Sequence, residues 1–352
     1  MKLYYVVNAR IPSDKAYGIQ VACMHEAFKT LVEAKLVTPA QLRVPDWYAS
    51  GRVGFFASSV IFMITSGAYL LYKRLIGEQF FVFTPDMDSF SGTLLPFIAP
   101  TIAEMHSPQK PTFLARLFFA RVRGVVATTK QTKEALITSF GIPEQNILVE
   151  PNGADEALLQ KEISKQEARK KLGLPDEPFA LYVGRFYAWK GLGILAEVAG
   201  SSSLPIRLVG GTREEYEHVT GKSGEALLFA GARPQAEVPL WLSAADVLLM
   251  LGTAKNDDSY RYTSPMKIFE YLGARRAVVA SKTPAVAGII PQGVAFWYEP
   301  DNAAALAQTI LQAHQADVSK KIEAGRALAA EHTWQKRARR IVAFMTATGS
   351  FT

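Results

Sequence analysis

From Ser264 to Ala274 the chain reads Ser-Pro-Met-Lys-Ile-Phe-Glu-Tyr-Leu-Gly-Ala, and Ala-Val-Val-Ala-Ser follows at residues 277–281. This pattern predicts a polar turn opening an amphipathic helix that ends before a short buried strand. Pro265 suits the first helical turn, where its missing N–H is no loss, and Ser264 just before it is a natural N-cap. Free N–H groups at such a start, around Ser264, Pro265 and Met266, can receive a phosphate or a sugar hydroxyl. Glu270 falls about one and a half turns inside the helix, where a carboxylate needs a polar partner. A sugar hydroxyl is one candidate. A capped helix carrying one exposed glutamate is the other reading.

Two further edges have the residue types for anion chemistry. Leu181-Tyr182-Val183-Gly184-Arg185 runs a strand into a glycine, and Trp189-Lys190-Gly191 opens the next helix. A glycine at a strand's carboxyl end lets backbone approach a ligand, and Arg185 and Lys190 bring two positive charges to that edge. Leu208-Val209-Gly210-Gly211-Thr212 ends the following strand in the same way. Neither contains GxGxxG, so a dinucleotide fingerprint is absent, and an ordinary strand-to-glycine turn is the competing reading of each. His25, His106, His218, His314 and His332 are scattered, with no HExxH or Cys/His cluster. No metal site is therefore expected, and Asp257-Asp258 reads as a solvated turn.

These residues need a scaffold, and the chain supplies a rhythm for one. Strands are predicted at 3–8, 80–84, 100–104, 124–128 and 147–150, with helices at 19–34, 53–76, 113–121 and 131–140. After a break near Asn152-Gly153-Ala154-Asp155 and a charged helical stretch at 161–171, Pro175-Asp176-Glu177-Pro178 restarts the series. Strands follow at 179–183, 206–209, 227–230, 247–251, 277–280 and 294–297, with helices at 192–199, 237–244, 265–273 and 303–313. Such alternation means parallel sheets covered on both faces, here in two doubly wound Rossmann-like α/β domains. The expected division is 1–155 with a returning helix at 333–352, and 156–332.

At 352 residues with 49% hydrophobic and 20% charged side chains, the chain has apolar material for two cores. The single Cys23 excludes an internal disulfide framework and suits a reducing, cytoplasmic compartment, and no secretory signal is visible. Net charge is +7, and residues 105–133 hold six basic residues and no acidic one. Such a patch could meet a nucleotide or an anionic membrane surface, or be a solvated face; no nucleic-acid-binding signature accompanies it. Residues 53–72 carry no charge over 20 positions, with Arg52 before them and Lys73-Arg74 after. The segment is long enough to span a bilayer. Dilution by Ser58, Ser59, Thr65, Ser66 and Gly67, and the strand after it, favour a helix buried against a sheet; a membrane-facing surface helix remains the alternative.

Together, and in order along nearly the whole chain, these segments resemble the retaining glycosyltransferases of family 4, which have the GT-B fold. Asn8-Ala9-Arg10 through Gly18-Ile19-Gln20 is similar to the family's first loop, whose glycine, here Gly18, faces the donor phosphates while Gln20 falls on the acceptor side. Glu104-Met105-His106-Ser107-Pro108 resembles the element that sets a histidine beside the reacting sugar. Pro151-Asn152-Gly153-Ala154-Asp155 resembles the turn between domains, Gly184-Arg185 with Lys190 the diphosphate-binding pair, Ala245-Asp246-Val247 the strand entry after the base-binding region, and Ser264 to Glu270, including Lys267, the loop and helix holding sugar and diphosphate. The ending Thr333-Trp334-Gln335-Lys336-Arg337-Ala338 is similar to the helix that crosses back to the first domain.

The resemblance implies two domains facing a central cleft, no cofactor, no metal, a UDP- or GDP-sugar donor, and a glycan or lipid-linked acceptor in polysaccharide or glycolipid assembly. It implies His106, Glu270, Arg185 and Lys190 as the catalytic set, with retention of anomeric configuration. Two departures stand out. The family's first glutamate, paired with Glu270, is Tyr262 here, and Gly288 stands where an acidic residue is frequent. Tyr262 keeps open a non-catalytic nucleotide-binding subunit; a nucleotide-sugar epimerase is the other alternative.

Overall fold

The computed structural model describes every residue except 12, 14, 49, 86–89, 161 and 349–352. Parts of the expected first loop and the end of the 333–352 helix therefore lie outside the described residues. The chain divides into two compact units, Met1–Asn152 with Trp334–Thr352, and Gly153–Thr333.

In the first unit, β1 (Lys2–Val6), β2 (Glu33–Val37), β3 (Phe81–Pro85), β4 (Thr101–Met105), β5 (Gly124–Ala127) and β6 (Ile147–Val149) form one sheet in the order β2-β1-β3-β4-β5-β6. Every neighbouring pair is parallel. The crossovers carry α1 (Ala16–Lys29), α2 (Gly51–Leu75), α3 (Phe113–Phe119) and α4 (Lys130–Phe140). Thr129 caps α4, its hydroxyl accepting from the Thr132 N–H, and Gly141 ends it at φ +65°.

In the second unit, β7 (Ala180–Val183), β8 (Ile206–Val209), β9 (Leu228–Phe229), β10 (Val247–Met250), β11 (Ala277–Ser281) and β12 (Phe296–Tyr298) lie in the order β12-β11-β10-β7-β8-β9, again all parallel. Its helices are α5 (Glu156–Gln160), α6 (Lys165–Leu172), α7 (Ile194–Ala199), α8 (Arg213–Thr220), α9 (Val238–Ala244), α10 (Lys267–Gly273), α11 (Pro284–Ala287), α12 (Ala303–Gln315) and α13 (Ser319–Glu331); α14 (Trp334–Thr348) closes the chain within the first unit. Successive residues of β7 feed opposite cores. Leu181 and Val183 join the cluster of Leu248, Met250 and Phe269, while Ala180 and Tyr182 join that of Leu208, Leu249 and Val279. A strand buried on both faces reads as an unbroken apolar run, which is why these strands are visible in sequence.

Several elements differ from expectation. α1 stops at Lys29, not 34, and the residues freed form the edge strand β2, whose charged Glu33 and Lys35 conceal it. α5, α8, α11 and α13 are not expected from the sequence pattern. α2 is present, but only Ser58, Ser59, Phe62, Ser66, Gly67 and Leu70 of its 25 residues are buried, so the expectation of a helix buried against the sheet fails on its outer side.

Candidate active site

In an open parallel sheet, ligands bind beyond the carboxyl ends of the strands where the strand order reverses. In the second unit that point lies between β7 and β10. β7 ends in Gly184, whose φ of +144° and whose surroundings both demand glycine: a Cβ there would lie 2.7 Å from Lys267 Nζ. The Gly184 N–H donates to the Val209 carbonyl at 2.8 Å. Gly210, at φ +129°, would set a Cβ 2.4 Å from the Gly184 carbonyl oxygen. Gly210 thus buttresses the Gly184 turn, and the space expected for a ligand at Gly210 is filled by that carbonyl.

α10 is keyed to the same turn by two residues one helical turn apart. Lys267 Nζ donates to the Val183 carbonyl at 2.6 Å and sits 4.1 Å from the Tyr182 ring centroid. The Tyr271 hydroxyl accepts from the Val183 N–H at 2.9 Å. Burial of the Lys267 ammonium holds its pKa well below the usual lysine range; Lys190 pushes it down further and Glu270 opposes. Lys190 donates to the Arg185 carbonyl at 3.2 Å and lies 4.7 Å from the Tyr187 ring centroid and 5.5 Å from that of Trp189. Burial, then Arg185, pushes its pKa down to about 8. Arg185 faces solvent, whereas Lys190 is half-buried among these neighbours. Burial pushes the Glu270 carboxyl up, Lys267 draws it back, and Asp155 adds to the upward push. Three cations with two depressed lysines around one glycine turn form a site that gains most from a dianion, because a bound negative charge restores the ammonium forms.

The expected start of α10 is corrected. The helix begins at Lys267 with Met266 at the cap position, so Pro265 lies ahead of the first turn, and Ser264, two residues before the cap, is buried. A residue before proline is kept out of the helical region. Asp258–Tyr262 coils as a π-turn closed by the Thr263 N–H and hydroxyl on the Asp258 carbonyl, at 2.8 and 2.7 Å, and the chain then runs extended. Tyr262, at the usual first-glutamate position, ends that turn. Asp301, unsuspected from sequence, holds the loop after β10: its carboxylate accepts from the Thr253 hydroxyl at 2.7 Å and the Ala254 N–H at 2.8 Å. Tyr182 was also missed. Its hydroxyl is buried with no hydrogen-bond partner among the described residues, 3.4 Å from where a Gly184 Cβ would be.

The first unit gathers His106 and Gln20. Glu104, fully buried at the end of β4, takes the Gln20 amide at 2.5 Å and lies 2.8 Å from His106 Nε2; Gln20 Nε2 is 3.1 Å from the same ring nitrogen. On the far side Arg337 of α14, also fully buried, lies 3.1 Å from Glu104 and donates through Nε to the Pro151 carbonyl at 2.8 Å. Burial raises the Glu104 carboxyl, but Arg337 and then His106 outweigh it and hold the pKa at about 2. An ionised partner requires a proton on Nε2 of His106. Gln20 is 4% exposed with its amide committed to this cluster, so it positions His106 instead of meeting an acceptor. Gly18 is likewise reassigned: a Cβ would lie 2.5 Å from Ser13 Cβ, so glycine lets the preceding loop fold back on α1. Glu104 and Arg337 left one signal in sequence, a lone acid within an apolar strand and a basic helix face in the last segment.

Residues 177–316 match the model of the family described as Glycosyl transferases group 1. Over 151 residues the chain is 29% identical to a 2-deoxystreptamine glucosyltransferase of Streptomyces kanamyceticus, covering 40% of this chain and 39% of that protein. The whole fold is similar to a glycosyltransferase of Rickettsia africae (TM-score 0.76, 16% identity, 100% of this chain and 99% of that one). It is also similar to Anabaena HepE, solved with UDP and glucose (TM-score 0.72, 17% identity, 99% and 100%), and to a sucrose-phosphate synthase of Thermosynechococcus elongatus (TM-score 0.73, 18% identity, 99% of each). Two six-stranded parallel sheets on this plan are the GT-B-like fold.

Proposed function

We propose that this chain acts as a group 1 glycosyl transferase, the family whose model residues 177–316 match, and that it moves a hexose from a UDP- or GDP-sugar to a glycan or lipid-linked acceptor. UDP-glucose is the donor to try first; the UDP and glucose held by HepE and the glucosyltransferase name of the Streptomyces relative support it. The observation that carries the reading is the Gly184 turn at the switch point, with Arg185, Lys190 and Lys267 around it.

In the reaction, the bond from the anomeric carbon to the diphosphate oxygen breaks and its electron pair leaves with the nucleoside diphosphate. The same carbon bonds to the acceptor oxygen, whose proton passes to the departing phosphate, with configuration retained. Arg185, Lys190 and Lys267 stabilise the charge that develops on the leaving group, and backbone N–H groups at the start of α10 add to that stabilisation. Cations already in place need no reorganisation as the bond breaks, so no metal is required. Glu270 holds sugar or ribose hydroxyls, and His106, fixed by Glu104 and Gln20, meets the reacting sugar.

The test is product analysis with a panel of UDP- and GDP-hexoses, glycan and lipid-linked acceptors, and chelator present. Nucleoside diphosphate released in step with glycosylated acceptor supports the reading. An isomerised donor points to an epimerase, and tight donor binding without turnover to a binding subunit.

A further inference from the structure

We propose that the outer face of α2, with the turn and helix beside it, docks on an anionic lipid surface, α2 lying in the plane of the interface and not crossing it. α2 is amphipathic in an inverted sense. Its inner face is mostly small and polar, with Phe62 and Leu70 as its buried apolar side chains in the core: Ser58 donates to the Pro45 carbonyl at 3.0 Å, Ser59 accepts from the Asn8 amide at 2.9 Å, and Gly67 lies against Leu94 and Ile98. Its outer face is large and apolar, with Val53, Phe56, Ile64, Leu71 and Leu75 exposed between 47% and 82%. The spacing of these residues, three, eight, seven and four, keeps them on one stripe, roughly 33 Å long at the helical rise. A soluble surface rarely leaves such a stripe to water.

The apolar area does not end at the helix. Leu94 and Phe97, 39% and 48% exposed, continue it through the Leu94 contact with Gly67. Arg121 stands over the Phe97 ring at 4.8 Å, and α3, whose Phe118 adjoins Gly92, exposes Phe113 and Leu114 at its start.

Charge selects the occupant. The stripe has Arg52 at one end and Lys73 and Arg74 at the other, and Lys110, Arg116 and Arg121 flank the neighbouring patch. Two copies of α2 packed antiparallel about a twofold axis would set these like charges together. An anionic headgroup layer would neutralise them while the side chains between enter the acyl boundary. The helix is long and apolar enough to span. Spanning would tear Ser58 and Ser59 from their partners and leave the sheet uncovered, so the inner face holds the helix on the surface.

The experiment is vesicle co-sedimentation of the full chain, using phosphatidylcholine vesicles with or without phosphatidylglycerol, at low and high salt. Binding to the anionic vesicles that fades with salt is expected. Phe56→Ser, Ile64→Ser and Leu71→Ser together should lower the bound fraction at least about tenfold, with melting temperature held because all three side chains are exposed. Arg52→Gln and Arg74→Gln should each weaken binding about fivefold. No binding to anionic vesicles, equal binding to neutral ones, or full binding by the triple serine variant overturns the proposal. So does a wild-type dimer that the triple variant converts to monomer without any lipid binding, since the face is then a self-interface.

Discussion

Lys190 offers a sharp test of the anion site, because the fold presses it toward the neutral form that a bound diphosphate should reverse. In the empty protein its pKa is about 8, against an ordinary 10.5. If the bound diphosphate restores the ordinary value, protonation and binding are coupled, and affinity falls once the empty protein loses the proton. From pH 7 to pH 9 the free form goes from about nine-tenths to about one-tenth protonated while the complex stays charged. The dissociation constant should therefore rise about tenfold over that interval, and each binding event at pH 9 should take up about one proton. Isothermal titration of UDP in buffers of different ionisation enthalpy measures both quantities. Lys190→Met should bind about 10- to 150-fold more weakly at pH 7, the worth of one charge-assisted contact. Its weakening from pH 7 to 9 should be about tenfold smaller than in the wild type, which separates Lys190 from the titration of Lys267 and the ligand. Equal pH dependence in the two proteins would refute the argument, even if Lys190→Met bound poorly.

Gly184→Ala must strain a φ of +144° and crowd Lys267, so it should cost about 1–3 kcal/mol in denaturant unfolding and abolish UDP binding by calorimetry. Arg337→Met leaves Glu104 buried without its cation and should cost about 3–5 kcal/mol by the same unfolding measurement. Wild-type stability should hold above the unfolded carboxyl value of 4.5 and fall as pH drops toward the folded value of about 2, the depressed pKa giving a loss on the order of 3 kcal/mol; acid titration of Arg337→Met should lack that loss. His106→Ala and Glu270→Gln should cut transfer rate strongly with melting temperature nearly unchanged, and UDP binding should survive in His106→Ala. Normal transfer by either variant would remove that residue from the catalytic set.

The architecture was legible because its central strands are buried on both sides. A run such as Phe80-Phe81-Val82-Phe83 admits little but a strand between two layers. Legibility fails where burial is one-sided. β2 alternates exposed and half-buried positions at the sheet edge, with Glu33 and Lys35 facing out, so its pattern blends into the end of α1. α2 fails in the opposite direction. Hydropathy counts apolar residues without saying which way they point, and the serines that dilute this helix turned out to be its inner face, bonded to Asn8 and Pro45.

The same distinction explains the site. Gly184, Arg185, Lys190 and His106 stood at strand ends, where residue type and position together suggest chemistry. What the pattern could not show is how the charges are held. Lys267 reads in sequence as one polar residue in a helical turn. In the fold its ammonium lies 2.7 Å from where a Gly184 Cβ would be, drawn to the Val183 carbonyl, with its pKa depressed by burial. Glu104 reads as an acid in a strand, yet pairs with an arginine 233 positions away and carries His106 and Gln20. Both arrangements depend on long-range contacts that no local spacing encodes. They also act in opposite ways. Glu104 is ion-paired with Arg337 within the protein and fixes a geometry, so its removal should disturb folding before turnover. Lys267 is held by a backbone carbonyl, a neutral partner that an anion would outcompete, so its removal should spare the fold and cost diphosphate affinity. Lys267→Met should thus weaken UDP binding with melting temperature unchanged or raised, since the cost of burying the ammonium is gone; unfolding with retained UDP affinity in whatever remains folded would reverse that assignment.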